Sequence, residues 1–107
     1  MELLYQINSF QTYLTRSVTQ SSMNPNILFI ADEIDGIKII NAFDIKNLTI
    51  ISSIETNQTK AITQSHNNPN IIFVADYTAG IKIINITDIN NPMIISSLKT
   101  YAAYFVT

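Results

Sequence analysis

The sequence predicts an all-β fold made of antiparallel four-stranded β-propeller blades, two of them complete and flanked by partial strands at both ends, so that the propeller is incomplete. Three observations carry this expectation. The chain repeats itself every 44 residues. Within each repeat, short apolar runs alternate with Asn-, Asp-, Pro- and Gly-bearing turns. The central runs are apolar on both faces of a strand rather than on one.

The repeat is read by setting Val18 to Ala61 over Ile62 to Phe105, where 24 of 44 positions are identical without a gap. Thr19-Gln20-Ser21 falls on Thr63-Gln64-Ser65, Asn24-Pro25-Asn26-Ile27 on Asn68-Pro69-Asn70-Ile71, and Gly36-Ile37-Lys38-Ile39-Ile40-Asn41 on Gly80-Ile81-Lys82-Ile83-Ile84-Asn85. The same offset continues outward, with Leu4, Ile7, Ser9 and Thr12 over Leu48, Ile51, Ser53 and Thr56. The expected organisation is therefore 1–16 as the last strand of a preceding blade, 17–60 as one blade, 61–104 as a second, and 105–107 as the start of a further blade.

Each element follows from the residues, taken in the second repeat. Ala61 to Gln64 is a short strand. Asn67-Asn68-Pro69-Asn70 is a turn, because proline presets φ and asparagine tolerates the remaining positions. Ile71 to Ala75, branched or aromatic except at its end, is the next strand. Asp76 to Gly80 is a hairpin loop in which Gly80 supplies a positive φ, as Gly36 does in the first repeat. Ile81 to Ile86 is the third strand. Asp88 to Pro92 is a turn, with Asp88, like Asp44, able to accept from backbone N–H two residues on. Met93 to Leu98 is the fourth strand. Connections this short make neighbours antiparallel. A sheet with one wet face alternates apolar and polar residues, whereas Ile71-Ile72-Phe73-Val74-Ala75 does not, so both faces are expected to be covered by neighbouring sheets.

Composition excludes several classes. Six Lys and Arg residues against eight Asp and Glu, scattered singly, provide no footprint for nucleic acid. No apolar run approaches the roughly 20 residues of a spanning helix, so no membrane span is expected. The absence of cysteine removes disulfides and thiolate metal sites. The first ten residues lack the basic and apolar regions of a signal peptide.

The stretch Ile72-Phe73-Val74-Ala75-Asp76, followed by Gly80 to Asp88 and then Asn91-Pro92, resembles the LVIVD repeat family, in which a "VAD" strand end precedes a glycine-led "GLxIIDxSDP" strand and turn. The first copy carries Ile30-Ala31-Asp32, Gly36 to Asn41 and Asp44, but has Leu48 where proline is usual. Asn41 and Asn85 stand where the family has aspartate. The resemblance implies propeller modules of bacterial and archaeal proteins, often large and at the cell surface or secreted, mostly without a defined activity.

Candidate chemistry is sparse. His66 is the lone histidine and aligns with Ser22, so it is expected as an exposed loop residue. Asp32 and Asp76 recur at strand ends, and a residue repeated in every copy is expected to hold a turn, since catalysis needs a group once. Asp32-Glu33-Ile34-Asp35-Gly36 is acidic but lacks the alternating oxygens of a calcium loop, and its counterpart Asp76-Tyr77-Thr78-Ala79-Gly80 keeps one acid. Asn47-Leu48-Thr49, Asn57-Gln58-Thr59 and Asn85-Ile86-Thr87 match the glycosylation triplet as composition alone produces it. Tyr101, Tyr104 and Phe105 form an aromatic cluster that fits either a binding surface or a cap. The expected roles are thus structural, at Asp32, Gly36, Asp44, Asp76, Gly80 and Asp88, with no catalytic residue, metal or cofactor.

A propeller needs about four to eight blades. Two blades leave apolar faces uncovered, so the expectation is a fragment of a longer ring, with assembly from several copies as the second choice. The partners expected are other blades or further copies, and an unknown protein or small molecule. A non-enzymatic interaction or structural module is the primary expectation. The alternative is part of a propeller enzyme or cell-surface protein whose active residues lie in missing blades.

Overall fold

The computed structural model describes residues 14–100. Most of the strand expected at 1–16, the strand start at 105–107 and the Tyr101, Tyr104 and Phe105 cluster lie outside the described residues.

Among the described residues, eight strands form two antiparallel sheets of four, each a simple meander. The first contains β1 (Thr15–Gln20), β2 (Ile27–Asp32), β3 (Gly36–Asn41) and β4 (Thr49–Ile54). The second contains β5 (Ala61–Gln64), β6 (Ile71–Ala75), β7 (Ile81–Asn85) and β8 (Met93–Leu98). Their registers repeat: Phe29 lies opposite Ile39 as Phe73 lies opposite Ile83. In both sheets the ladder shifts by one residue at the same place, between Ile39 and Ile40 and between Ile83 and Ile84, leaving Ile51 and Ile95 as the extra residues of matching β-bulges. Ile86 falls just outside β7, with its N–H on the Asn70 carbonyl.

The β2–β3 and β6–β7 hairpins depend on glycine. Gly36 and Gly80 adopt φ of +84° and +85°. A Cβ on either would stand 2.2 Å from the carbonyl oxygen of Ile54 or Leu98, where the fourth strand ends. Positive φ and a backbone in van der Waals contact together leave no room for a side chain.

The sheets pack face to face. Ile27, Phe29, Ala31, Ile37 and Ile39 of the first meet Ile62, Ile72, Val74, Ile84 and Ile86 of the second. Ile51, Ile54 and Ile89 close the margins. Each large apolar side chain fully buried in this core contributes about 1.5–3 kcal/mol. The two sets are not equivalent. The 44-residue counterparts of Ile27, Phe29, Ile37 and Ile39 are Ile71, Phe73, Ile81 and Ile83, which lie on the opposite face of the second sheet and are only half-buried. Each sheet therefore has two different apolar faces: a front, which carries Phe29 or its counterpart Phe73, and a back, which carries Ile30 or Val74. The front of the first sheet covers the back of the second.

No helix of the described residues is long and apolar enough to cross a membrane.

Candidate functional site

Many of the polar side chains shared by the two repeats hold backbone. Asp32 and Asp76 are fully buried at the ends of β2 and β6. The Asp32 carboxylate accepts from the N–H of Leu14, at 3.2 Å to each oxygen, and from those of Ile34 and Asp35 at 3.0 Å. Asp76 accepts from Asn57 N–H at 3.0 Å and Gln58 N–H at 2.8 Å, and faces Lys82 Nζ at 3.8 Å. Leu14 and Gln58 are counterparts 44 residues apart. The aspartate thus clamps the chain entering the first strand of its own sheet, besides bonding the adjoining hairpin in the first repeat. A buried carboxylate is stable only when its oxygens are satisfied in this way.

The other repeated polar residues act locally. Asp44 accepts from Lys46 N–H at 3.0 Å and Asp88 from Asn90 N–H at 3.1 Å. Asn41 and Asn85 accept from Phe43 and Thr87 N–H at 2.9 and 2.8 Å. Asn24 and Asn68 do the same for Asn26 and Asn70. Ser21 and Ser65 accept from Asn24 and Asn68 N–H. These are Asx- and Ser-type turns, made by short side chains whose oxygens reach N–H groups two or three residues on. Gln20 and Gln64 donate through Nε2 to the carbonyls of Pro25 and Pro69 at 2.8 and 2.7 Å.

Polar links also cross between the sheets. Ser22 N–H donates to Gln64 Oε1 at 2.7 Å. Ser52 Oγ donates to the Ile89 carbonyl at 2.5 Å. Lys60 Nζ lies 2.9 Å from Glu33 Oε1, which also takes Arg16 Nε at 2.5 Å. Lys60 stands 4.9 Å over the Tyr77 ring as well. The hydrogen bonds from Lys60 first, and from Arg16 second, hold the Glu33 carboxyl below its ordinary value of 4.5. Sequence inspection misses this cluster, although one signal was present: Arg16 and Lys60 are both basic and 44 residues apart.

Of the acids in the supposed calcium loop, Glu33 is engaged by two cations, Asp32 by backbone and Asp35 by Lys38 Nζ at 2.5 Å. Among the described residues no group of three His, Cys, Asp or Glu side chains could hold a metal ion. His66 is exposed and lines, with Thr19, Gln20, Ser22, Thr63, Gln64 and Ser65, an open groove of about 280 Å³ where β1 meets β5. The groove holds no Asp, Glu, Lys or Arg and offers hydroxyls, amides and one imidazole. Its volume sits at the lower edge of small-molecule sites, which run from about 300 Å³ and are predominantly apolar. Comparison with family models, with curated proteins and with solved structures produces no match for this chain.

Proposed function

We propose that the chain is a non-enzymatic β-propeller module of LVIVD-repeat type, two blades of a longer ring, serving as a structural or interaction scaffold. One observation carries this reading: the repeated turn residues Ser21/Ser65, Asn24/Asn68, Asp32/Asp76, Asn41/Asn85 and Asp44/Asp88 hold backbone in both copies, while the shared apolar side chains form the front and back of each sheet. Such a repeat is built to stack, and stacking front to back is what turns four-stranded sheets into blades. The half-buried front of the second sheet supports further blades beyond these two. The groove where β1 meets β5 is the place for a small polar ligand, with Thr19, Thr63 and His66 as its free-standing donors and acceptors.

The blade arrangement is tested by a bismaleimide crosslink in a Ser22→Cys, Gln64→Cys variant, since the wild type has no cysteine to interfere. A bridged peptide within one chain is expected, and its absence refutes front-to-back stacking. The non-enzymatic part is tested on chromogenic ester, phosphate and glycoside substrates. Turnover that His66→Ala abolishes overturns it.

A further inference from the structure

We infer that the chain binds a second copy of itself head to tail, the front of β5–β8 docking on the back of β1–β4 of the next copy. The inference rests on the blade reading proposed for this chain and adds the partner and the contact. The interface inside the chain is its template. There, Ile51 and Ile54 at the front margin pack against the core, and Ile62 on the back is 5% exposed. Their counterparts are Ile95, Leu98 and Val18, exposed by 53%, 65% and 54%. Ile89, which packs on the core, has Ile45 as its counterpart, 69% exposed. The chain therefore presents, uncovered, residues matching the margins of both halves of an interface it already makes. Ile30 and Ile40 of the receiving back are already buried, so the new contact centres on β1 and the β3–β4 turn.

The polar links carry over by the same offset. Ser96 Oγ, like Ser52, donates to the carbonyl of Ile45 in the next copy. His66 N–H, like Ser22, donates to its Gln20 Oε1. Arg16 of the next copy takes the position of Lys60 and meets Tyr77 where the first repeat has Glu33, so an ion pair becomes a cation–π contact. Two different faces meeting make a heterologous contact, which propagates into a ring or an open filament and never stops at a two-fold dimer.

The test is complementation followed by light scattering. Ile95→Glu spoils only the front and Ile45→Glu only the back. Both sites are exposed in the single chain, and far-UV circular dichroism checks that each variant keeps its sheets. Wild type is expected to run as a multiple of the chain mass and each variant alone as a monomer. A mixture of the two is expected to double in mass and stop there, because one good front then meets one good back. A monomeric wild type overturns the inference, and so does either variant dimerising alone, which marks a two-fold contact. The Ser22→Cys, Gln64→Cys crosslink separates the two failures: bridging within a wild-type-like monomer leaves the blades standing and removes only self-docking.

Discussion

Asp76→Asn exchanges a single atom of a fully buried side chain, and the bonds around that side chain set the size of the effect. One carboxylate oxygen accepts from Gln58 N–H at 2.8 Å and the other from Asn57 N–H at 3.0 Å. An amide keeps one acceptor and turns an NH₂ donor toward the second N–H. One charge-assisted bond is lost, worth about 1.5–3 kcal/mol, and the remaining bond becomes a neutral one of about 1 kcal/mol. The Lys82 contact at 3.8 Å adds little, because Lys82 is partly solvated. The expected loss is about 2–3 kcal/mol, a large share of the roughly 5–15 kcal/mol of a small domain. Urea unfolding followed by circular dichroism reads it directly. With a slope of about 1–3 kcal/mol per molar, the midpoint falls by roughly 1–2 M at unchanged slope. Asp88→Asn is the control: its carboxylate is exposed and bonds one N–H, which an asparagine oxygen accepts equally well, so less than about 0.5 kcal/mol is expected. Equal midpoints for Asp76→Asn and wild type refute the clamp and reopen a functional role for the repeated carboxylates.

Gly80→Ala places a Cβ 2.2 Å from the Leu98 carbonyl oxygen at a φ of +85°, so a loss of at least about 2 kcal/mol is expected in the same assay. Glu33→Gln tests the cation cluster through pH. Lys60 and Arg16 depress the folded carboxyl below 4.5, so its contribution is fully present above that value and disappears as pH falls through the folded value. The difference in melting temperature between wild type and Glu33→Gln should hold from about pH 7 to pH 5 and shrink toward about pH 3; a difference independent of pH refutes the assignment. Thr100 Oγ1 is buried without a partner, whereas its counterpart Thr56 bonds the Thr59 hydroxyl, and the sequence has Ala103 in the matching place. Thr100→Val should therefore raise stability by about 1 kcal/mol in thermal unfolding, and a lower melting temperature contradicts the orphaned hydroxyl.

Strands and turns were legible in the sequence because their causes are local. An Asx turn at Asp88 needs only an oxygen two residues from an N–H, and a hairpin at Gly80 needs only a residue free to take positive φ. Ala61–Gln64, Ile71–Ala75 and Met93–Leu98 stand as strands with the bounds that the turn residues around them predict. The repeat also places the fourth-strand bulge of the second sheet where the first has it, although the irregularity between Thr15 and Ser17 in the first sheet has no counterpart in the second. Other features were decided by tertiary structure. Sequence spacing shows that Ile71 to Ala75 is apolar on both faces, but period-two alternation is the same from either side, so it cannot say which face meets the neighbouring sheet. The packing does: Ile72 and Val74 turn toward the first sheet, while Ile71 and Phe73 are left half-buried. Asp76 reads in sequence as a hairpin residue. Its strongest contacts are with Asn57 and Gln58, 19 and 18 residues earlier, and only the closing of β5 onto β6 brings those N–H groups to it. Glu33 and Lys60, 27 residues apart, meet because the second sheet packs on the first. Local bonds are set by chain geometry over two or three residues, whereas the clamp exists only once β5 has paired with β6, and the Glu33–Lys60 link and the front-to-back contact only once the sheets have stacked.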